Sequence, residues 1–384
     1  MEIVARTLAE PGALGYARLA GRARLRCDLA RKRQPVVHVE RIVDTGVDAR
    51  LPRLVPHRED TGILAPVTAG VATYLGGRLL GVIPMLFLMS LVVFAIVYLI
   101  PGDPVDAMLG QDAERSAREA LRRELGLDQP LWRQYVGWLG RVAQGDLGRS
   151  IRAQQPVRDL IAEKLPATLL LTTSAAVIAL LIAFPAGVIA AVKRNTVVDL
   201  LAMVGALLGV SIPSFWSGIM LIMIFALTLG WLPAIGYVRI TTDPVGALRY
   251  LILPALTLGS VMAGSVTRQV RAQLLQELGR DYVRTARSKG LREAGVIVRH
   301  ALRNSLIPAV TVLGVQFSVL LGGAVITEQI FAWPGVGQLA VNAIVNRDYP
   351  VLQGVILTVA LLVTLVNLAV DALYVVLDPR LRLS

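Results

Sequence analysis

The sequence predicts an all-α membrane protein with six transmembrane helices, and three observations carry that prediction. Hydrophobic residues make up 55% of the 384 residues and charged residues only 17%, too little polar material to clothe a soluble protein of this length. Residues 81–100 read GVIPMLFLMSLVVFAIVYLI without one charge. A hydrocarbon core about 30 Å thick needs roughly 20 such residues of helix. Basic residues gather in short blocks beside runs of this kind, the pattern of a topology signal. Lipid offers no hydrogen-bond partner to a backbone, so the runs must be helical.

Beyond 81–100, apolar runs cover about 167–192, 200–232, 251–266, 308–327 and 353–377. The third is long for one straight span and short for two. Pro213 lies inside it, where a proline kinks or restarts a helix. Loop charges arbitrate. Lys193 and Arg194 lie in loop 193–199, residues 268–307 carry nine Lys/Arg against three acids, and the tail carries Arg380 and Arg382. With 200–232 as one kinked or tilted span, these blocks share one side, which the positive-inside rule makes the cytoplasm. The segments 233–250 and 329–352 are nearly free of basic residues and fall outside, together with the outer loop 101–166, which has ten of each sign. Both termini are then cytoplasmic, and the loop 268–307 is the main cytoplasmic feature.

Residues 1–70 hold twelve Lys/Arg, eight acids and scattered Pro and Gly with no sustained apolar period. A signal peptide would have a short apolar core directly after its basic start. The stretch reads as a disordered cytoplasmic extension, or as residues ahead of the true translation start, and residues 71–384 form the membrane domain. The net charge of +12 follows the membrane topology, so nucleic acid is not expected as a partner. Cys27 is the only cysteine, and the three histidines stand far apart in sequence, which leaves no disulfide framework and no metal cluster to expect.

Four local features bear on function. Residues 280–308 are basic and partly apolar, and Gly290 divides them into two short helices with a bend. Such a surface suits docking into a partner's groove, an anionic lipid surface, or a solvated connector. Residues 121–143 mix apolar and charged positions, as amphipathic helices do on an outer face. Trp333-Pro334-Gly335 reads as an aromatic anchor at the membrane interface followed by a turn. Polar residues within spans are few: Gln316 in the fifth, and Asn367 and Asp371 at i, i+4 on one face of the sixth, where helix packing competes with a place in a pathway. No mid-membrane acid of the kind an ion-driven carrier uses is seen.

The run Tyr282-Val283-Arg284-Thr285-Ala286-Arg287-Ser288-Lys289-Gly290-Leu291 resembles the cytoplasmic loop of binding-protein-dependent ATP-binding cassette importers, dipeptide/oligopeptide permease branch. The general motif of that superfamily begins Glu-Ala-Ala; here only Ala286 and Gly290 match its core, as is usual in the peptide branch. Further matches follow in order: Pro101-Gly102-Asp103-Pro104, Gly126-Leu127-Asp128-Gln129-Pro130, Gly145-Asp146-Leu147-Gly148, Pro213-Ser214-Phe215-Trp216, Glu328, Trp333-Pro334-Gly335-Val336-Gly337, Arg347-Asp348-Tyr349-Pro350 and Asp378-Pro379-Arg380. Together they cover about residues 72–384. The resemblance implies the type I ABC importer permease fold in a bacterial plasma membrane. It also implies a second homologous permease, two ATPase subunits that bind ATP and magnesium, and an extracytoplasmic substrate-binding protein. Tyr282, Arg284, Thr285, Ala286, Lys289, Gly290 and Leu291 would form the ATPase-coupling loop. Cargo in this branch is a di- or oligopeptide, with glutathione or nickel as alternatives. The chain has no Gly-x-x-x-x-Gly-Lys-Ser/Thr phosphate cradle and no nucleophile–base pair, so it is expected to be a transport subunit without bound cofactor. An ion-coupled secondary transporter is the alternative from another class.

Overall fold

A computed structural model describes residues 67–99, 105, 109, 114–124 and 127–377, all within the unit that runs from Leu64 to Ser384. Residues 1–66, the terminator at 101–104 and the tail motif at 378–380 lie outside the described residues. Among those described, the architecture is helical, with one isolated antiparallel bridge between Arg149 and Pro156. In order the helices are α1 (Val67–Leu99), α2 (Arg115–Glu124), α3 (Leu131–Ala143), α4 (Val157–Val192), α5 (Val197–Ser211) and α6 (Ser214–Leu221, extended by a π segment, Ile222–Thr228). Then come α7 (Pro244–Leu278), α8 (Asp281–Ser288) and the single turn α9 (Glu293–Gly295). A π segment, Val296–Leu302, leads into α10 (Arg303–Ile330), followed by α11 (Val336–Val345) and α12 (Tyr349–Leu377).

Among the described residues, four stretches are long and apolar enough to cross a membrane: α4, α7, Val312–Ile330 of α10 and Tyr349–Ala372 of α12. The pair α5–α6 qualifies as one more if its two helices, bent by 105°, are counted together. α1 is 33 residues long, and its described apolar stretch, Leu80–Ile96, overlaps the uncharged run 81–100.

The helices overrun the apolar runs that announced them. α4 starts ten residues before position 167, so the outer loop expected at 101–166 gives up its last turns to a helix. α7 extends past 251–266 in both directions, and α10 begins at Arg303. The expected cytoplasmic loop 268–307 therefore shrinks to about 279–302. Hydropathy marks only the part of a helix immersed in lipid. The backbone ladder continues beyond it wherever packing supports it, as at Val270 and Leu274, both buried.

The run at 200–232 is neither straight nor gently kinked. Ile212 is extended at φ −78°, ψ 125°, because the ring of Pro213 disfavours helical backbone in the residue before it, and Pro213 has no N–H to continue the ladder. The two ends of the pair lie at opposite ends of the bundle. Near its start, Asp199 takes both a 2.6 Å bond from Arg271 Nε and a 2.6 Å bond from its terminal nitrogen. Just past its end, the Gly236 N–H donates to the Phe331 carbonyl at 3.0 Å, where α10 finishes. Loop 193–199 thus shares one end of the bundle with the basic segment after α7, as the charge pattern requires.

The core is α4 against α7. A Cβ on Gly259 would stand 2.6 Å from the Ala175 carbonyl oxygen, and one on Gly187 would stand 2.9 Å from that of Thr267. Small residues let the two backbones touch, the packing that serves where lipid removes the hydrophobic drive. Trp333 corrects an expectation. It is fully buried rather than anchored at an interface, with Nε1 donating to the Ala167 carbonyl at 2.9 Å and the ring edge-on to Tyr237 at 4.8 Å.

Candidate functional site

The basic segment folds as its glycine forecasts. α8 turns its Val283 and Ala286 into a small apolar cluster with Ala191 of α4, Leu274 of α7, Val296 and Ala301. Tyr282, Arg284, Thr285, Arg287, Ser288, Lys289 and Leu291 remain exposed. The helix ends on Gly290 at φ +72°, a left-handed conformation that glycine adopts without steric cost; its N–H returns to the Arg287 carbonyl at 2.9 Å. Of the seven residues singled out in sequence, six share the outward rim. The seventh, Ala286, faces inward and seats the helix.

Polar contacts hold this seat. The Tyr282 hydroxyl donates to Glu277 at 2.6 Å and accepts from Asn304 at 3.1 Å, tying α8 to the end of α7 and the start of α10. Burial, then the Glu277 bond, raises the Tyr282 pKa above the usual tyrosine value. Arg287 grips Glu293 with two bonds, 3.1 and 2.6 Å, across the bend. That guanidinium holds the Glu293 carboxyl below its ordinary range. A depressed folded-state pKa means the clasp contributes fully above the unfolded value of about 4.3 and is lost as pH falls below that and through the depressed folded value. The bend is closed at neutral pH.

The three polar span residues are not brought together. Gln316 is half-buried in α10. Asn367 accepts a 3.1 Å bond from Ser318 of α10, and Asp371 pairs with Arg78 of α1 at 3.3 Å. The last two are helix-to-helix ties.

A buried acid that the sequence reading passed over lies at the opposite end. Glu328 was seen only as part of an ordered motif set, one residue beyond the expected span limit of 327. It is fully enclosed on the last turn of α10. Thr168 Oγ1 donates to its Oε1 at 2.7 Å, and the Gln338 N–H donates to its Oε2 at 2.9 Å. The Val336 N–H in turn donates to Thr168 Oγ1 at 2.8 Å. Glu328 and Thr168 together cap the first turn of α11, which would otherwise bury unpaired donors. A Cβ on Gly335 would fall inside the carboxylate, and one on Gly337 would stand 2.9 Å from Oε2. The glycine spacing after Glu328 was the available signal.

The turn that delivers Trp333 to this node carries a strained residue. Ala332 sits at φ +50°, while the Trp333 N–H reaches back to the Glu328 carbonyl at 2.8 Å, a helix end usually given to glycine. Ala332→Gly is expected to raise stability by about 0.5–1 kcal/mol, read as a higher melting midpoint in detergent; a lower midpoint would contradict this account of the turn. Asp348 follows a second such turn, with Arg347 at φ +54°. Its carboxylate accepts from the Ser150 hydroxyl and from the Ile151 N–H at 3.1 Å, fastening the 146–156 segment to the head of α12.

Residues 183–383, the stretch that includes α8 and its seat, match the family described as "Binding-protein-dependent transport system inner membrane component". Residues 71–172 match the N-terminal model of the same kind of membrane component. The chain belongs to this family. It is a permease of a binding-protein-dependent ABC importer, from the peptide-type branch, and so a transport component rather than an enzyme. It is 44% identical over 309 residues to the glutathione transport system permease protein GsiC of Escherichia coli O6:H1, covering 80% of this chain and 98% of that one. The same protein from Escherichia coli K12 and from Shigella dysenteriae serotype 1 is 43% identical over the same shares. A solved structure of inward-facing conformations of the MetNI methionine ABC transporter covers 57% of this chain at 19% identity and a TM-score of 0.49, a likeness too loose to carry an argument.

Proposed function

We propose that this permease crosses the bacterial inner membrane six times with both termini in the cytoplasm, pairs with a second homologous permease, and couples through α8 to two ATPase subunits that bind ATP and magnesium. Residues 1–70 are read as an Arg-rich cytoplasmic extension ahead of the permease domain. An extracytoplasmic binding protein delivers the cargo at the opposite end. The observation that carries this reading is the seating of α8. Its apolar side is locked onto α4, α7 and the Val296–Leu302 segment, so a force on its cationic outer rim moves those helices and not α8 alone. Six crossings are supported by contacts at the two ends: Asp371 with Arg78 at one, Asp348 with Ser150 at the other.

The pathway then works by alternating access, a two-state switch biased by nucleotide on the partners. Short peptides are the proposed cargo. The named relatives put glutathione, itself a peptide, first among candidates, and nickel remains as an outcome of the test. An ion-driven carrier is set aside by the family.

Ser288→Cys in a Cys27→Ser background tests the coupling. In membranes containing all subunits, a short reagent reactive to the thiol at one end and to lysine amines at the other is expected to join this position to an ATPase subunit, and an impermeant maleimide added to intact cells is expected to leave it unlabelled. Labelling from outside would overturn the orientation and the coupling role together. Uptake of labelled glutathione, dialanine and nickel by the same complex in vesicles would name the cargo.

A further inference from the structure

We infer that the Asp199–Arg271 pair is the strut that passes displacement of α8 to the broken span α5–α6, so that these two residues position the transport pathway without touching cargo or nucleotide. The inference rests on the coupling role proposed for α8.

The pair has the geometry of a rigid joint. Both oxygens of Asp199 are engaged by Arg271, each at 2.6 Å, and Oδ2 also accepts from the Asn195 N–H at 3.0 Å. The Asp199 side chain is 7% exposed and that of Arg271 24%. A forked, mostly buried guanidinium–carboxylate pair fixes orientation as well as distance. Arg271 is three residues before Leu274, which packs with Val283 and Ala286 of α8. One end of the strut is therefore on the helix that receives the push.

Its other end opens α5, and α5 cannot slide on α7. A Cβ on Gly209 would stand 2.9 Å from the Ser260 carbonyl oxygen, and one on Gly264 would collide with that of Ala206. With backbones in contact and a charge clamp at the end, the two helices shift as one body. The break at Ile212-Pro213 then marks where the chain leaves the clamped helix. Beyond it α6 packs against both α7 and the end of α10: a Cβ on Gly218 would stand 3.2 Å from Thr257 of α7 and 3.3 Å from Phe331. Displacement of the clamped pair therefore reaches α6 both through the 105° bend and through Thr257 of α7, and packed elements of this kind switch between discrete arrangements rather than deform continuously. An ion pair serving only to anchor the fold would tolerate any substitution that preserves assembly.

The test uses the whole importer in proteoliposomes: this chain, its second permease, both ATPases and the binding protein. An equimolar mixture of glutathione and dialanine is the cargo, read by mass spectrometry, and ATP hydrolysis is measured in parallel. Asp199→Asn and Arg271→Lys are expected to assemble and hydrolyse ATP while the ATP consumed per molecule imported rises about tenfold, within the range usual for coupling between sites. The reciprocal exchange, Asp199→Arg with Arg271→Asp, is expected to return that ratio most of the way towards the wild-type value. Single variants with a wild-type ratio would overturn the strut, and so would loss of assembly in all three, which would assign the pair to folding alone. Failure of the wild-type complex to import either peptide on ATP would instead strike the proposed function.

Discussion

Glu328→Ala is expected to lower stability by about 3–5 kcal/mol, the sum of orphaned donors and an unfilled cavity. The carboxylate is fully enclosed and answers the Thr168 hydroxyl and the Gln338 N–H. A buried donor left stranded costs about 1–3 kcal/mol. Glu328→Gln keeps the shape and one accepting oxygen but sets an amide N–H₂ against a donor, so an intermediate loss is expected. Gly335→Ala should do as much damage as Glu328→Ala, because its Cβ would occupy the carboxylate's place. Melting midpoints of the purified chains in detergent check the series. An alanine variant within about 1 kcal/mol of wild type would show that α11 does not depend on this cap.

Gly290→Val is expected to abolish coupled import while leaving the chain inserted and assembled. The φ of +72° suits glycine, is tolerated by asparagine, and costs a β-branched residue about 1–3 kcal/mol. A Cβ there would meet nothing within 4 Å, so the whole effect runs through the backbone. The chain must leave the left-handed turn, and Leu291 and Arg292 are redirected on the exposed rim. Import should fall in the order glycine, asparagine, alanine, valine, with ATP hydrolysis persisting as import disappears. Arg284→Glu with Arg287→Glu should uncouple in the same way. Because Arg287 also holds Glu293, Glu293→Ala is the control: it opens the clasp but keeps the cation, and should retain more import than the charge reversal. Normal uptake by the valine variant would remove α8 from the coupling path.

These two sites differ in how far the sequence disclosed them. The α8 site is local. Its helix, its glycine stop and its exposed cations lie within a dozen residues, and local backbone preference is what sequence patterns report most directly. The inward side of Ala286 is not legible in the same way, because a single turn of pattern does not say which side of a short helix meets the bundle. The Glu328 site is non-local. Thr168 is 160 positions away, and the apolar run ends at 327, so the acid lies just outside it. The same blindness hid Asp199 and Arg271, 72 positions apart, each of which reads alone as an ordinary charge near a helix end.

By itself the sequence determined that the chain lives in a membrane, that its spans are helices, which end carries the basic segment, and that a glycine bends it. These follow from one-dimensional quantities: the length of an apolar run, the sign of a loop, the φ that a residue type tolerates. Only the tertiary structure decided that the helices on either side of Pro213 meet at a 105° bend, that Trp333 is interior rather than interfacial, and that buried carboxylates at both ends of the bundle fasten one helix to another. Such facts depend on which distant segments meet, and a buried charge is stable only where a partner from elsewhere in the chain arrives to pair with it.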